Sequence, residues 1–262
     1  VPLGEKIDLA KSLARAGQTS SAIVSAGALL RFLSEETLLV TSEGGEHERV
    51  LSWVGAGVRS IASGGGRIEV RTAPARGGGV WLGGFDVLER LELPALAARA
   101  AHEAEALLKA PACPEGARDV VLDPWLAARL LEETIVRGLL LGEPSFVEDA
   151  KDAKLRVGSS ALTLSHDPRV EGCAGSIGVD DEGTAPRAQT LVHAGLVTSR
   201  LSDRVTATEK KVVPSGSARA TSYREPPRVH AANVVLAPGG GDLDALLAGV
   251  KDGVYFEGAR AF

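Results

Sequence analysis

Apolar residues recur at two different periods along this chain, and each change of period marks a new element. At the start, Ile7, Ala10, Leu13 and Ala14 fall at helical spacing with Lys and Asp between them, and Gly17 follows as a C-terminal cap. Between residues 22 and 71 the pattern shortens into apolar or alternating runs at 22–33, 37–41, 49–54, 58–62 and 67–71, which predict short strands. Gly44-Gly45 and Gly64-Gly65-Gly66 read as turns between antiparallel neighbours, and Val80-Trp81-Leu82 as another strand. An Ala/Leu/Glu-rich stretch with Pro94 near its start predicts a helix over 94–108.

Residues 111–116 hold two prolines, Cys113 and Gly116 and read as a linker, so one domain is expected over 1–112 and a second over 117–262. Val120-Val121-Leu122 predicts a strand. Asp123 then serves as N-cap and Pro124 as the first residue of an amphipathic helix to about Leu141, with Ala127, Leu130, Leu131, Ile135 and Gly138 along one side. Strand patterns follow at 162–164, 175–179, 189–193, 196–199 and 234–236, with Ala194-Gly195 as a hairpin turn. Asp242 opens a helix that runs ahead of the Gly253–Tyr255 run. The fold class predicted is α+β: two domains with mostly antiparallel sheets and a few long helices.

Composition narrows the function. Hydrophobic residues at 44% and charged residues at 24% are globular proportions. A net charge of −5 argues against a nucleic-acid partner. No apolar run approaches the roughly 18 residues of a membrane span, and no signal peptide opens the chain, so a cytoplasmic protein with no membrane partner is expected. Two cysteines exclude a disulfide scaffold and an all-cysteine zinc site. The chain begins with Val and has no Met, which leads us to expect a processed product or a piece of a longer protein.

Several candidate motifs fail on spacing. Gly55-Ala56-Gly57, Gly77-Gly78-Gly79 and Gly239-Gly240-Gly241 lack the context of a dinucleotide or phosphate loop and read as turn glycines. His102-Glu103 has no second His one turn later and reads as a surface helix. Gly175-Ser176-Ile177-Gly178 misses the nucleophile-elbow spacing by one residue. Asp180-Asp181-Glu182-Gly183 lacks the ligand spacing of a calcium loop and reads as a solvated turn. The histidines and both cysteines are isolated in sequence.

A series of segments is more informative. Pro2-Leu3-Gly4-Glu5-Lys6-Ile7 opens a helix. Val120-Val121-Leu122 precedes Leu130-Leu131-Glu132-Glu133-Thr134-Ile135-Val136-Arg137-Gly138. Gly178-Val179-Asp180-Asp181-Glu182-Gly183-Thr184-Ala185-Pro186 precedes Leu191-Val192-His193-Ala194-Gly195-Leu196-Val197. Ala220-Thr221-Ser222-Tyr223-Arg224-Glu225-Pro226-Pro227-Arg228 and Ala237-Pro238-Gly239 follow in order. Together these resemble the TldD/PmbA family of zinc metallopeptidases, and the likeness covers nearly the whole chain. It implies that a domain before Val1 and part of one after Phe262 are missing from this sequence.

The family's signature helix reads His-Glu-x-x-x-His, with a third ligand, a Cys, near the C-terminus. By that resemblance Glu132 takes the first His position, Glu133 the catalytic Glu position and Arg137 the second His position. Arg cannot ligate zinc, and a lone Glu cannot hold it, so no metal and no cofactor are expected here although the family uses zinc. On an ideal α-helix, positions five apart are also about 140° apart, and Val136 replaces a Gly of the family. Glu132, Glu133 and Arg137 read as a solvated or interface charge cluster. The resemblance implies a non-catalytic, TldE/PmbA-like or regulatory subunit in peptide proteolysis. It would act as a homodimer or as a heterodimer with a metal-competent TldD-like subunit, on a peptide substrate. The alternatives are a hydrolase with metal-independent chemistry, based on Glu132 and Glu133 or on His193 and His230, and a structural fragment.

Overall fold

Helix α1 (Leu3–Ala16) forms where the first helical period is read, and Gly17 caps it by donating to Leu13. The chain then makes fewer and longer strands than the sequence predicts: β1 (Ile23–Val40), β2 (Glu46–Gly64), β3 (Arg67–Ala73) and β4 (Gly79–Leu82). In this computed structural model residues 1–75, 77–145, 147, 155–222 and 224–257 are described; Tyr223, part of the family-like segment, lies outside them. Contacts group the chain into two units, residues 1–34, 51–126 and 249–262 in the first, and 35–50 and 127–248 in the second.

In the first unit β2 pairs antiparallel with β3 through Val58–Gly64 and with β4 through Trp53–Ala56. The breaks at 34–36 and 55–57 are strand residues, whereas Gly44-Gly45 and Gly65-Gly66 are the turns expected. Gly55-Ala56-Gly57 is therefore not a turn: it is the part of β2 where another backbone comes closest. A Cβ on Gly57 would lie 2.9 Å from the Gly78 Cα, and one on Gly78, at φ 92°, would lie 2.3 Å from the Ala56 carbonyl oxygen. Only glycine allows that approach. Helix α2 (Phe85–Arg90) is short, and α3 (Leu93–Leu107) appears where the Ala-rich stretch predicts it. It buries Leu93 and the small residues Ala97, Ala100, Ala101 and Ala104, and the alanines let it pack closely on β3 and α1. Leu13, Val54, Val58 and Leu88 complete the core. His102 is exposed and Glu103 pairs with Arg71 and Arg99, the surface role expected of that motif. The strand β5 (Asp119–Leu122) pairs in parallel with the strand Gly253–Phe256.

Helix α4 (Pro124–Leu131) opens as predicted, with the Asp123 carboxylate accepting from the Leu126 amide at 2.6 Å. The second unit then carries β6 (Leu164–His166), β7 (Gln189–His193), β8 (Leu196–Val197), α5 (Arg204–Lys210), β9 (Ala218–Arg219), β10 (Arg228–Val229), β11 (Val234–Leu236) and α6 (Leu243–Ala248). Four strands form an antiparallel sheet in the order β11-β6-β7-β8, and β9 and β10 form a separate ribbon. Ala194 and Gly195 both have positive φ, 46° and 78°, which makes the predicted tight hairpin. Leu139, Leu164, Leu191, Val192 and Leu201 are fully buried at the centre. Residues 175–179 are not a strand: the Gly175 amide is taken by the Asn233 side chain instead of a neighbouring strand. Helix α5 is too short for its period to show in sequence; a capping box between Asp203 and Thr206 holds it. Among the described residues no helix is long and apolar enough to cross a membrane.

His166, in β6, has no solvent exposure. Its burial holds the imidazole well below the ordinary 6.5, at about 4, with Asp167 opposing and His230 adding to the shift. The unfolded chain takes up this proton near 6.5 and the folded chain only near 4, so between those values folding must expel a proton. This part of the stability is complete above the unfolded pKa and is lost as pH falls. We expect unfolding in urea, followed from pH 7.5 to 4.5, to show wild type losing on the order of 3 kcal/mol more than His166→Leu. Parallel pH profiles would overturn this.

Candidate functional site

The helix expected to run evenly to Leu141 changes its winding. After Leu131 it widens into a π-turn, Glu132–Val136, and then tightens into a 3-10 turn, Arg137–Leu139. The Arg137 amide donates to the Glu132 carbonyl, an i to i+5 bond. The Thr134 hydroxyl donates to the Leu130 carbonyl at 2.5 Å, a local bond that competes with regular helix. The wide turn corrects the expectation that residues 132 and 137 diverge by about 140°: both line the same cavity. On the other side Leu131, Ile135, Val136 and Leu139 pack into the core of the second unit.

The polar side of this segment is a network of ion pairs. The Glu133 carboxylate accepts from Arg129 at 2.5 Å and from Arg137 at 2.8 Å, and Arg129 reaches Glu132 at 3.3 Å. Arg129 and Arg137 are 54% and 71% exposed, so these are solvent-screened contacts.

The network borders a cavity of about 1000 Å³, lined also by Arg219 and Arg228 from the ribbon, by His230 just after it, and by Glu35, Arg49 and Asp181. Desolvation in the concave wall holds His230 below its ordinary pKa, with Arg219 adding and Glu132 opposing. An adjoining cavity of about 700 Å³ shares Glu35, Arg49 and Asp181 and includes His47, Asp180 and Ser222. His193, at the end of β7, does not line the larger cavity.

The wall is built by the acidic segment that the sequence suggests is a solvated turn. Asp180 is 2% exposed. One oxygen accepts from the Glu182 and Thr184 amides at 3.0 and 2.8 Å, and the other from the Ala218 amide at 3.0 Å. Burial pushes its carboxyl upward, and those three amides oppose the shift. Asp181 accepts from the Ala220 amide at 2.9 Å and from Arg49 at 3.0 Å, while Arg49 also donates to the Val179 carbonyl. Glu182 accepts from the Arg204 amide at 2.8 Å; burial raises its pKa and that bond opposes. These carboxylates organise backbone. Asp180 was legible only as an acid in a cluster, because its burial depends on the distant Ala218 amide as well as on the local turn.

Glu132, Glu133 and Arg137, which the resemblance sets at the family's ligand and catalytic positions, do not make a zinc-binding set. Glu132 and Glu133 are engaged by arginines, and Arg137 is itself a cation. Among the described residues no group of three or more His, Cys, Asp or Glu is placed to hold a metal ion. Cys113 is exposed and Cys173 half-buried, both as free thiols.

These two kinds of carboxylate predict opposite mutational costs. Glu133→Ala removes only screened surface pairs, so its unfolding free energy in urea should fall by no more than about 0.5 kcal/mol. Asp180→Ala leaves buried amides without an acceptor and should cost about 3 kcal/mol or more. A large loss for Glu133→Ala, or a small one for Asp180→Ala, would overturn this division.

Comparison with known proteins bears on the family. The PmbA/TldA metallopeptidase central domain matches residues 1–108, and the C-terminal domain of the same family matches residues 115–262. A metalloprotease of Methanothermobacter thermautotrophicus is 31% identical over 99% of this chain and 56% of its own length. A metalloprotease TldD homologue of Haemophilus influenzae is 30% identical over 61% of this chain and 33% of its own length. The crystal structure of TldE from Thermococcus kodakarensis superposes with a TM-score of 0.76 at 15% identity, over 96% of this chain and 56% of that one, a likeness of fold. The chain thus spans about half the length, or less, of these relatives. With both domain patterns matched in order over the same mixed, mainly antiparallel fold, the chain belongs to the TldD/PmbA metallopeptidase family.

Proposed function

We propose that this chain acts in peptide proteolysis as a non-catalytic or regulatory member of its family, offering a peptide-binding cavity and leaving the metal chemistry to a TldD-like partner. The observation that carries this reading is the network of Arg129, Glu132, Glu133 and Arg137 at the positions where the family resemblance puts its histidines and catalytic Glu. Glu133, at the position the resemblance makes catalytic, is held between two arginines. We place the protein in the cytoplasm, in keeping with its two free cysteines.

A second reading, a hydrolase with metal-independent chemistry, has one observation in its favour. His230 shares the cavity with Glu132 and Glu133, and its lowered pKa keeps the imidazole neutral and able to accept a proton near pH 7. One preparation distinguishes the two. After dialysis, elemental analysis should find far less than one zinc per chain, and unstructured peptides should stay intact. Tightly held zinc at one per chain would overturn the non-catalytic reading. Metal-free cleavage abolished by His230→Gln would favour the second.

The partner reading rests on a physical feature of one strand. Strand β1 runs for 18 residues and has one neighbour, β2, among the described strands, with Val24, Leu29 and Leu33 exposed at 62%, 48% and 59%. A free edge with apolar side chains favours burial against another subunit. Size exclusion with light scattering, alone and mixed with a metal-competent homologue, should give a mass above that of one chain. A mass of 27.1 kDa in every condition would overturn the dimer.

A further inference from the structure

The ribbon of β9 and β10 sets Arg219 and Arg228 directly opposite one another in antiparallel register. Opposed residues project from the same face of a ribbon, and like charges in that position repel. Both arginines line the larger cavity of the second unit. The other charges there are mostly satisfied. Glu35 and Asp181 pair with Arg49, and Glu132 and Glu133 pair with Arg129 and Arg137. Glu143 also lines the wall, but no described carboxylate forms an ion pair with Arg219 or Arg228. Two guanidinium-bearing residues thus line one open cavity side by side, with neither held in an ion pair.

From this juxtaposition we infer that Arg219 and Arg228 form a carboxylate-binding subsite in the cavity beside the π-turn, which selects peptides by a negative charge. The inference deepens the peptide-binding reading above and rests on it for the source of the carboxylate. A guanidinium presents its N–H groups as a planar fork that matches the two oxygens of a carboxylate. Glu35, Glu132, Glu133, Glu143 and Asp181 line the same space and oppose any anion, a phosphate dianion about twice as strongly as a carboxylate, so binding depends on the local fork of the two arginines and a single negative charge suits it better. A volume of about 1000 Å³ accommodates several residues of an extended peptide. The carboxylate could be a chain terminus or an Asp or Glu side chain, and the test separates the two.

The test uses the 262-residue chain and three short, unstructured Gly/Ser/Ala peptides in calorimetric titrations. One is acetylated and amidated, one has a free C-terminal carboxylate, and one is blocked at both ends with a central Glu. The carboxylate-bearing peptide should bind about tenfold more tightly than the blocked neutral one. That advantage should disappear in Arg219→Gln and in Arg228→Gln, each checked for unchanged circular dichroism. Preference for the free terminus assigns the site to a chain end, and preference for the central Glu assigns it to a side chain. In parallel, acetylglycine is titrated against the arginine Nε–H signals of the wild-type chain by NMR. Equal affinity for all three peptides with no shift at Arg219 or Arg228 would overturn the inference while leaving peptide binding intact. A preference that survives in both variants would overturn it as well. Shifts at these two arginines with no peptide bound would retain the carboxylate subsite and overturn the peptide-binding reading.

Discussion

Asp180 gives both carboxylate oxygens to backbone amides, and the second unit's cavity depends on those bonds. The Glu182 and Thr184 amides close the turn around it, and the Ala218 amide ties strand β9 to that turn. A charge taken out of water is costly unless it is fully hydrogen-bonded, and bonds from amides to an ionised acceptor are the stronger kind. Asp181 extends the arrangement by holding Ala220 and Arg49. The result is a wall in which Arg219, Ala220 and Thr221 follow directly from the amide that Asp180 holds.

Opposite constraints act on the segment that follows α4. Its apolar side is committed to the core through Val136 and Leu139, which are 1% and 0% exposed. Its polar side carries only screened ion pairs. A change of side chain on that side therefore costs little stability, whereas the wide turn itself is fixed by packing beneath it. This separation lets the residues at 132 and 137 vary with little effect on the fold.

The first unit is organised by close approach rather than by buried charge. Gly57 and Gly78 bring two backbones within a distance that any side chain would block. The alanines of α3 do the same for a helix against its neighbours. Small residues thus set the spacing there, and larger ones such as Leu13, Val54 and Leu93 fill what remains.

Periodicity alone determined α1, α3, the start of α4, the β7–β8 hairpin and β11, because each is specified by residues within one or two turns of each other. The mixed, mainly antiparallel fold class and the family resemblance were also legible in the order of short segments. Local pattern could not decide that Gly55-Ala56-Gly57 lies inside a strand, since the reason is a second backbone at Gly78. Nor could it show that residues 175–179 leave the strand state, since the competing acceptor is Asn233. The identities of Glu132, Glu133 and Arg137 were readable from sequence, but their common cavity was not, because it depends on the helix widening into a π-turn. The pairing of Arg219 with Arg228 and the burial of Asp180 and His166 were decided by tertiary structure alone. Their environments are assembled from segments distant in sequence, and charge repulsion, desolvation and hydrogen bonding act across space without regard to order along the chain.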